Sequence, residues 1–144
     1  MSQSGKSIHP AEGDDSSSVK LLAQSLATSF TLDDESFNEI FNRLKDDESA
    51  RILVSTDDDG VVNGYLLGFV HDAFFANGAV AWIEEMFVSD TARLNGIGLA
   101  LERDFEVWAR ARDVNLIALA TRRAASFYRA IGYEESAVYF RRLL

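Results

Sequence analysis

The chain has 144 residues, 47% hydrophobic and 26% charged, a length and composition that suit one soluble globular domain with a single core (residues 1–144). Its 14 basic and 23 acidic side chains give a net charge of −9, which argues against a general nucleic-acid binder, whose affinity comes from neutralising phosphates. With no cysteine and only two histidines, His9 and His71, it has no disulfide, thiolate metal site or cysteine nucleophile, and a multi-histidine metal centre or Ser-His chemistry is disfavoured.

Met1 to Ser7 is polar with one lysine, and no segment approaches the ~18 apolar residues of a membrane span, so a cytoplasmic location without membrane contact is expected. Ser7-Ile8-His9 is a short candidate strand stopped by Pro10, the only proline. Asp14 or Asp15 can cap a helix from Ser16 to Thr28, and Asp33 or Asp34 a second from Glu35 to Lys45, each with an apolar face at helical spacing. The period then changes to that of strands. Arg51–Thr56, Val61–Phe75 and Ala79–Val88 read as an antiparallel meander, with a bulge or bend near Gly64 or Gly68 and a tight turn at Asn77-Gly78.

A helix over Ile97–Arg112 should bury Ile97, Ala100, Leu101, Phe105, Trp108 and Val107. Asn115–Ala120 is apolar enough for an inner strand, Arg123–Ala130 is a short helix closed near Gly132, and Tyr133–Glu135 and Val138–Leu143 read as final strands. This order predicts one mixed α/β (α+β) layer structure. The charge is uneven along it: residues 1–88 hold 16 acidic and 5 basic side chains, residues 89–144 hold 7 and 9. The first part suits a cationic partner, although its acidic clusters also fit helix starts, helix ends and turns facing water.

Between the third meander strand and the long helix stands Arg93-Leu94-Asn95-Gly96-Ile97-Gly98-Leu99-Ala100. Two alternate glycines let backbone approach a ligand, and the unpaired first-turn amides and helix dipole favour an anion such as a pyrophosphate. Arg93 could add a charge-assisted contact. The same glycines could simply make a tight connection and a close helix contact. A P-loop is excluded because no lysine follows Arg51, and a dinucleotide fingerprint lacks its third glycine and its parallel setting.

The spacing Arg-x-x-Gly-x-Gly after Ile83-Glu84-Glu85-Met86-Phe87-Val88 resembles the acyl-coenzyme A motif of the GCN5-related N-acetyltransferases. Ala124 to Tyr133 is similar to that family's A-x-x-x-Tyr-x-x-x-Gly-Phe/Tyr segment, and Ile8-His9-Pro10-Ala11 to its first strand and turn. The resemblance covers essentially the whole chain. It implies a central, mostly antiparallel sheet flanked by about four helices, and acetyl-CoA as co-substrate. Met86, Phe87 and Val88 would meet the pantetheine and thioester, the backbone of Leu94, Asn95, Gly96, Ile97, Gly98 and Leu99 the pyrophosphate, and Tyr128 the leaving thiolate as proton donor. Thr121 stands where the family most often has an asparagine that contacts the cofactor.

Acetyl transfer also needs a base for the amine and a donor for the developing oxyanion. A backbone amide near Met86–Val88 could serve the oxyanion. Strand alternation puts Glu84, Met86 and Val88 on one face and Glu85 and Phe87 on the other, so Glu84 is the candidate base, and a bulge would bring in Glu85 instead. His71 borders the expected acceptor region but reads more simply as a loop histidine, and Trp82 and Trp108 as core or interface residues. The expected activity is N-acetyl transfer to a primary amine, either a cationic small molecule or a peptide amino terminus. The alternative is a non-catalytic acyl-CoA sensor or partner-binding domain. A homodimer through the terminal strands or exposed aromatics would fit either.

Overall fold

The computed structural model describes residues 7–144, and the polar start at 1–6 lies outside them. Its elements run β1 (Ser7–Pro10), α1 (Ser16–Leu26), α2 (Asp34–Lys45), β2 (Ala50–Thr56), β3 (Val62–Ala73), β4 (Gly78–Val88), α3 (Ile97–Arg110), β5 (Ile117–Leu119) and α4 (Ala125–Ala130). The strands form one sheet in the order β1-β2-β3-β4-β5. Every pair is antiparallel except β4 with β5, which are parallel across the α3 crossover. This is the mixed sheet with four α-helices that the residue pattern predicts.

Period-two alternation distributes the strands between two cores. Leu53, Leu66, Ala81 and Ile83 meet Ile97, Leu101, Phe105 and Trp108 of α3 on one face. Ile52, Val54 and Tyr65 meet Val19 and Ala23 of α1 and Phe41 of α2 on the other. Two glycines of β3 set how closely α3 can sit. A Cβ at Gly68 would lie 2.3 Å from the Phe105 ring, and one at Gly64 would lie 3.2 Å from Ile97. The bulge expected in β3 near Gly64 is present: against β2 the register steps from Ser55–Gly64 to Thr56–Val62, leaving Asn63 as the extra residue.

The acidic clusters serve local structure. Asp33 caps α2, its Oδ2 accepting from the Ser36 N–H at 2.9 Å. Asp47 accepts from the N–H and hydroxyl of Ser49 at 2.8 Å each, and Asp57 closes the β2–β3 turn by accepting from the Asp59 and Val61 N–H groups. Asp15 differs from expectation: its carboxylate accepts from the Glu12 N–H at 2.8 Å and so closes the turn before α1, rather than capping α1.

Other expectations need correction. The β3–β4 connection is the four residues Phe74–Asn77, because Gly78 already pairs with Ala73; positive φ falls at Asn77 (58°) and Gly78 (152°). β5 is three residues long and lies at an edge of the sheet, not inside it. Tyr133–Glu135 and Val138–Leu143 form no strand. Neither segment pairs with the free edge of β5, so neither joins a ladder, and side chains tie the segment down instead. Arg129 pairs with Glu135, and Arg141 donates to the Ser29 hydroxyl at 3.2 Å. On α3, Val107 is exposed, while Glu102 and Ala109 are buried. No helix among the described residues is long and apolar enough to cross a membrane.

Candidate active site

The glycine turn sits where β4 hands over to α3. Gly96 is the residue before the helix and is left-handed (φ 79°), with no side chain capping the first-turn amides. Gly98 makes a close contact: a Cβ there would meet the Phe127 ring at 3.2 Å and the Met86 methyl at 4.0 Å. One small residue thus brings the start of α3, the end of β4 and α4 together. Ile97 is anchored in the core, whereas Asn95 is exposed and Leu99 partly so. Leu94 is also left-handed (φ 69°) with its side chain fully in water. Arg93 is engaged within the protein, pairing with Asp90 at 2.8 Å and donating from Nε to the Val88 carbonyl at 3.1 Å.

β4 changes partners along its length. Ala81, Trp82 and Ile83 pair with β5, and that ladder then stops. Glu85 to Val88 continue to pair with β3 alone, so this stretch carrying Met86, Phe87 and Val88 has one open backbone side. The register steps from Leu67–Glu85 to Gly68–Ile83, leaving Glu84 as the extra residue of the bulge. The simple alternation is therefore broken. Ile83, Met86 and Val88 all pack toward α3, while Phe87 packs on the opposite core. Glu84 does not share the Met86 face; it lines a cleft together with Glu85.

That cleft has a volume of about 720 Å³ and lies between α1, α2, the middle of β4 and the segment after β5. Glu84 accepts from the indole N–H of Trp82 at 3.1 Å. Glu85 accepts from the hydroxyl of buried Tyr65 at 2.7 Å. Burial raises the pKa of Glu85, the Tyr65 hydrogen bond opposes that rise, and the Glu84 charge adds to it. Thr121 lines the same cleft, its Oγ accepting from the Ala124 N–H at 3.0 Å at the start of α4. His71 is exposed within β3, paired with Val80, and does not line the cleft.

Tyr128 lies on α4, buried, with its ring edge-on to Tyr133 at 5.5 Å between centroids. Burial, with the charge of Glu102 second, pushes its pKa up to about 12. Behind it the Tyr133 hydroxyl donates to Glu102 at 2.7 Å, and Glu102 is only 2% exposed. Burial raises the pKa of Glu102 as well. Sequence reasoning missed Tyr65, Glu102 and Tyr133. For Glu102 a signal existed: it falls between Gly98 and Phe105 on the flank of the apolar face, where a carboxylate is out of place.

Solved structures of similar shape span nearly the whole chain. Glucosamine-6-phosphate N-acetyltransferase from Arabidopsis thaliana superposes with a TM-score of 0.84 at 17% identity, covering 95% of this chain and 97% of that one. An aminoglycoside acetyltransferase from an uncultured soil metagenomic sample gives 0.80 at 17%, covering 97% of each chain. A transcriptional regulator from Bacillus halodurans gives 0.85 at 21%, covering 96% and 99%. No curated protein matches the chain in sequence. Residues 20–133, which run from α1 through the glycine turn to Tyr133, match the profile of the acetyltransferase (GNAT) family, and the chain belongs to that family.

Proposed function

We propose that the protein is an N-acetyltransferase that moves an acetyl group from acetyl-CoA directly to a primary amine, small-molecule or peptide-borne, that arrives as the ammonium ion. One observation carries this reading. The stretch of β4 that loses its β5 partner meets the glycine turn and α4 on one side, and the Glu84–Glu85 cleft on the other. A thioester laid along that stretch would have donors at one end and the acceptor cleft at the other. Acetyl-CoA would supply the activated acetyl group.

The uncapped amides around Leu94–Leu99 suit a pyrophosphate, and Arg93 could join them by leaving Asp90. Thr121 keeps its O–H free to donate while its oxygen accepts from Ala124. A backbone N–H of Met86–Val88 on the open side of β4 would stabilise negative charge on the thioester oxygen. Glu84 and Glu85 draw the ammonium, and Glu85, half-buried beside the Tyr65 hydroxyl with its pKa raised by burial, takes its proton. Tyr128 stays protonated at its hydroxyl until it gives that proton to the departing thiolate. The balance is ammonium plus thioester to amide, thiol and one released proton. The same proposal includes a cytoplasmic location and a homodimer through the exposed apolar side chains of Val138, Phe140 and Leu143; sedimentation tests the dimer.

The test pairs binding with turnover. Acetyl-CoA and CoA should raise the melting temperature by about 2–8 °C at ~100 times their dissociation constants, well above ATP or NAD. Tyr128→Phe should keep that shift and lose roughly 100-fold in kcat. Selective binding with no turnover on any amine would favour the acyl-CoA sensor instead. The absence of a selective shift would overturn both.

A further inference from the structure

The cleft beside Glu84 and Glu85 has walls that proton transfer does not require. Phe37 and Leu44 of α2, Leu67 of β3 and Trp82 of β4 line its depth. Phe30 and Ile40 stand at its rim although they are 68% and 46% exposed. Single exposed apolar residues need no explanation, but two that converge on one cleft mark a contact surface. The charged lining consists of Glu84 and Glu85 on β4 with Arg122 and Arg141, two of each sign. The overall acidity of residues 1–88 therefore does not extend into the cleft, since its clusters are spent on caps and turns. Charge guides the amine to Glu84 and Glu85, and the apolar walls must select what carries it.

We propose that the acceptor is a primary amine on an apolar alkyl or aryl body, and that the cleft discriminates against polyhydroxylated amines. This rests on the acetyl-transfer reading of the same site. The volume suits a body of that kind, since pockets for small organic ligands run from roughly 300 to 1,000 Å³. Hydroxyl groups pressed against Phe37, Leu44 and Leu67 would give up water without gaining a partner. A methylene placed there gains by leaving water. The amine nitrogen forms a C–N bond to the acetyl carbon of acetyl-CoA as the C–S bond breaks. The thiolate takes a proton, and the ammonium proton leaves through Glu85.

The experiment measures kcat/KM at fixed acetyl-CoA for ethylamine, butylamine, hexylamine, 2-phenylethylamine, ethanolamine and glucosamine. The expected result is a rise of about fourfold per added methylene, with 2-phenylethylamine ahead of ethanolamine by roughly 100-fold. Ile40→Ser and Phe30→Ser, both at exposed positions, should flatten that slope, costing hexylamine roughly fivefold more than ethylamine and acting mainly through KM. A flat or inverted slope, with glucosamine or ethanolamine preferred, overturns the proposal and leaves acetyl transfer standing. Acetyl-CoA binding with no amine acetylated overturns the parent reading as well. If the two rim variants change the sedimentation coefficient and leave the slope intact, the rim is a subunit contact and the proposal fails.

Discussion

On the α3 face of the sheet, Gly64 and Gly68 hold nothing between strand and helix, and Leu101 and Phe105 fill the gap until neither has any exposure. On the other face α1 and α2 cover β2 and β3 but leave a cleft of about 720 Å³ beside Glu84 and Glu85. The residue types are similar on both sides; the difference lies in how completely side-chain volume meets side-chain volume. The closed face fixes the glycine turn of α3 against β4, as a site built on rigid elements requires. The open face keeps room for a second molecule.

The strongest way to break this contrast is to force the closed face apart. In Gly68→Ala the new methyl would meet the Phe105 ring at 2.3 and 2.4 Å, and that ring sits at the centre of the packed face. Overpacking of this kind costs about 3 kcal/mol. Urea denaturation should show a lower midpoint with an unchanged slope. A loss below about 1 kcal/mol would show that α3 can slide, and the claim of a rigid closed face would fall.

A smaller effect separates the two buried carboxylates. Glu102, behind α3, has one oxygen bonded to the Tyr133 hydroxyl and the other buried without a hydrogen-bond partner. Arg103 approaches only to 3.6 Å. Burial raises the pKa of Glu102 on the closed face and of Glu85 on the open face. A carboxyl whose folded pKa is raised gives stability that is complete below its unfolded pKa and is lost as pH rises through the folded value. Asp33 and Asp47, with lowered values, run the opposite way and weaken the fold as pH falls. Glu102→Gln should therefore be close to neutral at pH 4.5 and stabilising at pH 8, by about 1–2 kcal/mol. Chemical denaturation at the two pH values reads the difference. An equal effect at both would mean that folding leaves the pKa of Glu102 where it stands in the unfolded chain.

What the sequence reveals of each face follows the range of the physics involved. The meander, the Asp33 cap and the glycine turn depend on neighbours a few residues away, and each is visible as a spacing. The final strands do not follow from spacing alone. Val138-Tyr139-Phe140 is made of residues that favour strands, yet a strand also needs a partner edge, and β5 offers three residues that neither segment joins. The shift at Glu84 has a similar cause. The register of β4 against β3 slips opposite Gly68, where Phe105 packs closely, and the bulge reassigns the faces of β4, so the choice between Glu84 and Glu85 depends on pairing with a strand 16 residues away in sequence. The Tyr133–Glu102 and Tyr65–Glu85 hydrogen bonds join residues 31 and 20 apart, beyond any local pattern.

The smallest effect concerns the junction of the two faces. Leu94 holds a left-handed backbone conformation that costs an L-residue about 1 kcal/mol, and its side chain is fully exposed, with no packing to offset that cost. Leu94→Gly removes the strain but gives the unfolded chain more freedom, so the net gain should be about 0.5 kcal/mol, a rise of 1–3 °C in melting temperature. A structural turn would leave the matter there, because the more stable turn would bind acetyl-CoA as well as before. A turn whose strain holds the amides of Asn95 and Gly96 toward a pyrophosphate should separate the two measurements: the free protein becomes more stable and the acetyl-CoA shift becomes smaller. Opposite signs in that pair of measurements would tie the strain to binding, and equal signs would assign it to the connection alone.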